Sequence, residues 1–301
     1  MAASKDGNVA ASVGFGGETK IWRFRKVDEN AAVGTGAWED GGKVAAGMGG
    51  DKSKDGAGVG EIWAVALSAD GRHLAASAYD GKVRVWDLGA EGMPCVREYE
   101  TKGSFGMSVD ISSDGRLVAS GHENGSVYMF NNDSGRMVHS LPGTVILFPH
   151  PYYSSANSTK GLIRAVRAVT FSPATKLLAA AGDARTIALY DVASGEQVAN
   201  LSGHAAWIMS IDWSSSGEYL LSGFVLCIAD TTLMSLLTLP RSFDGKAKVW
   251  AVETHNCVAT HGESDKTLWS VKWLPKMGRT ELFAVGGANR SISFYREASG
   301  G

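Results

Sequence analysis

The stretch Glu61 to Leu88, EIWAVALSADGRHLAASAYDGKVRVWDL, decides the fold. Its apolar residues alternate with period two, Val65 with Leu67 and Val83 with Val85. Alternation of that kind marks half-buried strands rather than helices. Between the apolar segments stand Asp70-Gly71 and Asp80-Gly81, and such pairs supply the positive φ that a tight hairpin needs. The stretch predicts three antiparallel strands joined by short turns. A fourth segment, CVREYET from Cys95, extends the unit.

The same text recurs along the chain. It returns as GMSVDISSDGRLVASGHENGSVYMFNN from Gly106 and as VRAVTFSPATKLLAAAGDARTIALYDV from Val166. A further copy runs from Ile208 as IMSIDWSSSGEYLLSG and resumes at Ser242 as SFDGKAKVWAV. The last copy starts at Leu268, and a partial one, NVAASVGFGGETKIWRF, opens the chain at Asn8. Repetition of a four-strand unit predicts an all-β fold of WD-type propeller blades in a single domain over 1–301. The first copy lacks an innermost strand and the last lacks an outermost one. The expectation is therefore five full blades and one partial blade, in a chain shortened at its N-terminal side.

Aligning the second residue of each inner strand gives Trp63, Met107, Arg167, Met209 and Trp269. Their separations are about 44, 60, 42 and 60 residues, where such a repeat takes about 40–45. Two units are too long by a similar amount. The excess lies at 144–161, TVILFPHPYYSSANSTKG, and at 224–241, FVLCIADTTLMSLLTLPR. Removing both restores HSLPGLIRAVRAV and LLSGSFDGKAKVW, which are uninterrupted blade text. The two segments read either as binding loops, since long loops often carry function, or as short introns retained in frame. The restored sequences favour the second. The glycine-rich segment 44–60 precedes a strand and not a helix, so it reads as a flexible surface loop and not a phosphate cradle.

Composition narrows the function. Of 301 residues 44% are hydrophobic, enough for a core, and the formal net charge of −2 gives no basic field for nucleic acid or anionic lipid. Cys95, Cys227 and Cys257 are scattered without metal-ligand spacing, which points to a reducing compartment. The N-terminal text has no apolar signal core, and 224–239 is too short to span a bilayer. No cofactor, metal, direct nucleic-acid contact or membrane contact is expected.

His204, Ser222 and Asp244 invite a hydrolase reading, because Ser, His and Asp together can activate a nucleophile. Their places in the repeat argue otherwise. His204 precedes an inner strand, Ser222 lies on the second strand, Asp244 sits in a hairpin turn and Trp250 lies on the third strand. The four positions suit a buried hydrogen-bond network that ties loop to strands, and no nucleophile elbow accompanies them. At the Asp244 position the other blades carry Asp80, Asn124, Ala184 and Asn289.

A second set of residues looks outward. Trp63, Trp207 and Trp269 stand at the starts of inner strands, beside Arg167 and Met209, while Tyr79 and Phe243 precede turn aspartates and Phe15 is placed similarly. The strand interiors already have their own apolar series, so this rim of aromatic residues is surplus to the core. It is the expected protein-binding surface, because aromatic residues, Met and Arg concentrate at interface hot spots.

Several stretches resemble one family more closely than generic WD text: SVDISSDGRLVASGHENGSVYMFN, the run from LLAAAGDARTIALYDV to SSSGEYLLSG, TLWSVKWLP and the closing NRSISFYREASGG. They resemble the WD-repeat subunit of the fungal superkiller complex, a family that includes a meiotic recombination protein. The resemblance implies a seven-bladed propeller without enzymatic activity. It implies assembly with a tetratricopeptide scaffold and an RNA helicase that feeds messenger RNA to the cytoplasmic exosome for 3′-to-5′ decay. It also implies a nuclear role beside a meiotic double-strand-break protein, and hence cytoplasmic and nuclear locations. A WD-repeat substrate receptor for ubiquitin ligation, or another signalling scaffold, is the alternative.

Overall fold

A computed structural model describes residues 1–14, 18–26, 36–44, 62–102, 104–141, 162, 164–225, 245–262, 267–274 and 281–296. Every regular element among them is a strand. The chain divides into two compact units, Met1–Gly143 and Thr144–Gly301.

The first unit holds three sheets. Sheet A contains β1 (Ala2–Ala3), β2 (Val9–Val13), β3 (Thr19–Lys26) and β4 (Gly36–Lys43). Sheet B contains β5 (Ile62–Leu67), β6 (His73–Ala78), β7 (Val83–Asp87) and β8 (Cys95–Tyr99). Sheet C contains β9 (Gly106–Ile111), β10 (Leu117–His122), β11 (Val127–Asn131) and β12 (Arg136–Leu141).

The second unit repeats the pattern. Sheet D contains β13 (Val166–Phe171), β14 (Leu177–Gly182), β15 (Thr186–Asp191) and β16 (Gln197–Ser202). Sheet E contains β17 (Trp207–Trp213), β18 (Tyr219–Val225), β19 (Lys246–Ala251) and β20 (Asn256–Gly262). Sheet F has β21 (Leu268–Trp273), β22 (Leu282–Gly287) and β23 (Ile292–Arg296), three strands among the described residues. All neighbours pair antiparallel in sequence order, as a WD40 blade does.

The fold is all-β, with six blades among the described residues. Among the described residues the three-stranded sheet is the last and not the first, because Ala2 and Ala3 pair with Ala11 and Ala10 to give sheet A a short innermost strand. Of the two long segments, Phe224 and Val225 continue β18, opposite Ile208 and Trp207. Residues 226–241, and all of 144–161, lie outside the described residues, as does 45–60 of the glycine-rich segment. Val44 packs on the core between sheets A and B.

Turn chemistry accounts for the hairpins. Gly71, Gly81, Gly115 and Gly125 adopt φ between 68° and 85°, where a side chain would be strained. In sheets B and C a serine locks the turn between the first two strands. Ser68 Oγ bonds the Asp70 carboxylate and accepts the His73 N–H at 2.9 Å, and Ser112 does the same with Asp114 and Leu117.

Sheets pack through apolar faces within each unit. Val83 and Val85 of sheet B meet Val109, Ile111 and Val118 of sheet C. Ile187 and Leu189 of sheet D meet Ile208, Ile211 and Trp213 of sheet E. Ala247 and Val249 of sheet E meet Leu268, Val271 and Trp273 of sheet F. Polar seams accompany the last contact: Val271 N–H donates to Ser210 Oγ at 3.2 Å, and Trp273 N–H donates to Asp212 Oδ2 at 2.6 Å. Burial holds the Asp212 carboxyl above the usual carboxylate range, although Lys272 Nζ lies 2.8 Å from its other oxygen.

Candidate functional site: bulged rim residues and a buried serine network

Five of the inner strands, those of sheets B to F, share one irregularity. In sheet B the register passes from Ile62 to Ala64 and skips Trp63. It skips Arg167 in sheet D, Met209 in sheet E and Trp269 in sheet F. In sheet C it jumps from Gly106 to Ser108 and skips Met107. A bulge inserts one residue into a strand and re-aims its side chain. The residues that the repeat aligned are thus the bulged ones, and two of them, Trp63 and Trp269, are about half exposed, at 49% and 54%.

In the first unit Trp63 is one wall of an aromatic group. Its ring meets Phe105 edge-on with centroids 5.1 Å apart, and Tyr79, 66% exposed, leans on the same Phe105 at 5.2 Å. Phe105 escaped the sequence reading because it precedes the strand and lies outside the repeat alignment. Its carbonyl accepts the Glu123 N–H at 3.0 Å, which fixes it to the turn of the next hairpin.

In the second unit the rim is built differently. Arg167 grips Asp183 with two guanidinium nitrogens, Nη2 at 3.1 Å from Oδ2. The guanidinium carbon stands 4.8 Å from the centroid of the Trp207 ring. A paired arginine over an indole face is a rigid, preformed contact surface. Met209 is half-buried beside it in sequence, and Trp269 is exposed on sheet F. Phe243 and Phe15 lie outside the described residues. Asp183 carries no sequence signal beyond its place in a turn, so its role emerges only from the fold.

His204, Ser222 and Trp250 come together in sheet E. Trp250 Nε1–H donates to Ser222 Oγ at 2.8 Å, and the hydroxyl meets His204 Nε2 at 2.8 Å. Ser222 and Trp250 are fully buried and His204 nearly so. Burial first, then the charge of Lys248, lowers the His204 pKa to about 3. The ring is neutral at physiological pH, and its Nε2 shares a hydrogen bond with the serine hydroxyl. Asp244 lies outside the described residues. Ser222 has no exposed surface from which to reach a substrate.

The network decays unevenly in other blades. In sheet C His122 pairs with Ser120 at 2.9 Å but comes from the same strand, its other nitrogen bonded to the Ser104 carbonyl at 2.8 Å. In sheet B the turn residue Asp80 instead holds Arg84 at 2.7 Å, and Arg84 also reaches Glu98 at 2.9 Å. Asn124 and Asn289 close their own turns, their side-chain oxygens accepting from the Ser126 and Ser291 N–H groups. No group of three potential metal ligands occurs among the described residues.

Comparison with known proteins agrees with the blades. The WD domain, G-beta repeat, matches residues 54–87, 94–131 and 195–251, and the WD40 domain of anaphase-promoting complex subunit 4 matches 153–216. Meiotic recombination protein rec14 of Schizosaccharomyces pombe is 33% identical over 99% of this chain and 78% of its own length. Antiviral protein SKI8 of Saccharomyces cerevisiae is 27% identical over 71% of this chain, which spans 57% of that protein. A human U3 small nucleolar RNA-associated protein 18 homolog is 33% identical over 41% of the chain and 20% of its own length. With six blades of WD40 type and this identity over almost all of its length, the chain belongs to the WD-repeat family of rec14 and SKI8.

Proposed function

We propose that the chain is a non-catalytic scaffold of the superkiller complex. In this reading its bulged rim residues hold a tetratricopeptide scaffold, so that an RNA helicase can pass messenger RNA to the exosome for 3′-to-5′ decay in the cytoplasm. A second assignment, in the nucleus, is to a meiotic double-strand-break protein. The family relationship supports both, since one relative is named for meiotic recombination and the other for antiviral action. The observation that carries the binding role is the bulge, which in five sheets turns a residue out of the ladder and presents Trp, Met or Arg there. Phe243, placed with this rim by sequence, belongs to the same proposed surface. The lock of His204, Ser222 and Trp250, with Asp244 from the turn, is structural in this reading.

The test is affinity of the purified chain for the tetratricopeptide scaffold, with Trp269→Glu as the variant. A carboxylate at a desolvated hot spot should weaken binding by at least about thirtyfold, while circular dichroism stays unchanged. Wild-type affinity in a folded Trp269→Glu protein would remove the rim from the proposal. A wild-type chain that captures cullin-linked proteins in place of the scaffold would favour a ubiquitin-ligation receptor.

A further inference from the structure

One end of sheet D, where β13 begins and β14 ends, gathers arginines. Arg164 precedes β13, Arg167 is its bulged residue, and Arg185 stands in the turn from β14 to β15. Backbone bonds tie these segments together. Asp183 N–H donates to the Ala165 carbonyl at 3.0 Å, and Arg185 N–H donates to the Gly182 carbonyl at 3.2 Å. A Cβ on Gly182 would collide with the Ala165 carbonyl oxygen, so the approach requires glycine there.

The same approach carries Asp183 to Nε and Nη2 of Arg167, while Trp207 of sheet E lies against the guanidinium. Arg167 is thus fixed from two sides, and its Nη1 has no acceptor among the described residues. A guanidinium nitrogen in that position offers its N–H groups to a further oxygen. Arg164 and Arg185 have no ion-pair partner among the described residues. Three guanidiniums therefore stand here against one carboxylate.

Arg185 gives an independent sign. Its φ is 61°, in the left-handed region where the matching turns of sheets B and C place Gly81 and Gly125. A long side chain at that φ is strained, and such strain gathers where a surface has work to do. Sheet F, in the same unit, repeats the choice with Arg290 at 59°. Arginine stands twice where the turn chemistry asks for glycine.

We infer that this end of sheet D binds an acidic peptide segment of a partner protein, in which Glu or Asp flanks an apolar residue. One carboxylate accepts from Arg167 Nη1, and Arg164 and Arg185 hold its neighbours. Hydrogen bonds between ionised groups are roughly twice as strong as neutral ones. The apolar residue packs beside Trp207. The inference rests on the rim being a protein-binding surface and names the chemistry of what that surface takes.

The probes are two fluorescently labelled, end-capped hexapeptides: Glu-Glu-Leu-Glu-Glu-Leu and its counterpart with glutamine at every glutamate. Each is titrated into the 301-residue chain by anisotropy. The acidic peptide should bind at least about tenfold more tightly, with the advantage shrinking as salt rises from about 50 to about 500 mM. Arg164→Glu combined with Arg185→Glu should abolish the advantage, and lysine at both positions should keep it. Arg185→Gly should weaken acidic binding while raising the melting temperature, which a merely structural arginine would not do. Equal affinity for the two peptides, no acidic binding at about 1 mM, or an advantage that survives the double glutamate variant overturns the inference. Tighter binding of oligouridylate, lost in that same variant, also overturns it by assigning the arginines to nucleic acid. Trp269→Glu should leave the preference for glutamate in place, so this inference and the rim reading fail in different measurements.

Discussion

The indole N–H of Trp250 ends on the hydroxyl of Ser222 at 2.8 Å, both side chains fully buried. Ser222 is thus the shared partner, bonded also to His204. Ser222→Ala should cost roughly 1–3 kcal/mol, because it leaves two buried polar groups, Trp250 Nε1 and His204 Nε2, without their partner. His204→Ala should cost no more. Chemical denaturation of both variants measures this, and a Ser222→Ala protein as stable as wild type would disprove the lock.

The lowered pKa of His204 gives a direction with pH. Its folded value is about 3, below the ordinary 6.5. The unfolded chain therefore takes up a proton below about pH 6.5 that the folded chain refuses. This contribution is intact above pH 6.5 and is lost progressively as pH falls toward 3, at about 1.4 kcal/mol per unit. His122 is lowered in the same sense by burial. Between pH 6.5 and 5 these histidines act before the carboxylates titrate. Thermal melts should show His204→Gln losing less stability than wild type across that window; parallel curves would contradict the assignment.

Arg167 is held by Asp183 and covers Trp207. Arg167→Lys keeps the charge but loses the two-pronged grip and the planar stack. Trp207 fluorescence should shift toward the solvent-exposed wavelength in both Arg167→Lys and Arg167→Ala. An unchanged spectrum in Arg167→Lys would show that charge alone suffices.

Phe105 props both Trp63 and Tyr79. Phe105→Ala should lower partner affinity about tenfold, roughly 1.4 kcal/mol, through loss of preorganisation. Stability should change less than in a Ser222 variant. Surface plasmon resonance against the tetratricopeptide scaffold checks it, and unaltered affinity would confine the contact to the second unit.

The repeat was readable because each blade's hairpins advertise themselves locally. Asp70-Gly71 and Asp80-Gly81 predict turns whose glycines take positive φ, and Val83 with Val85 predicts a buried alternating face. Trp63, Arg167, Met209 and Trp269 were placed by alignment alone, while the reason they look outward, a register shift, has no sequence mark. Asp183 and Phe105 were missed because their partners lie far along the chain or outside the repeat. His122 was missed because it reaches Ser120 from the same strand, where the repeat places its histidine on the preceding loop. The short β1 escaped notice because two alanines carry no alternation.

The bulge also separates two demands that usually collide in a strand. A residue inside the ladder must satisfy its neighbours on both sides, so a change in its side chain is felt across the sheet. The skipped residue is out of register with the strand beside it, and the five sheets fill it with Trp, Met, Arg, Met and Trp. Single substitutions there can therefore retune what the surface prefers while the blade beneath stays as it was. A lineage whose named members serve processes as different as recombination and antiviral defence would find its adaptability concentrated in those five interchangeable sockets.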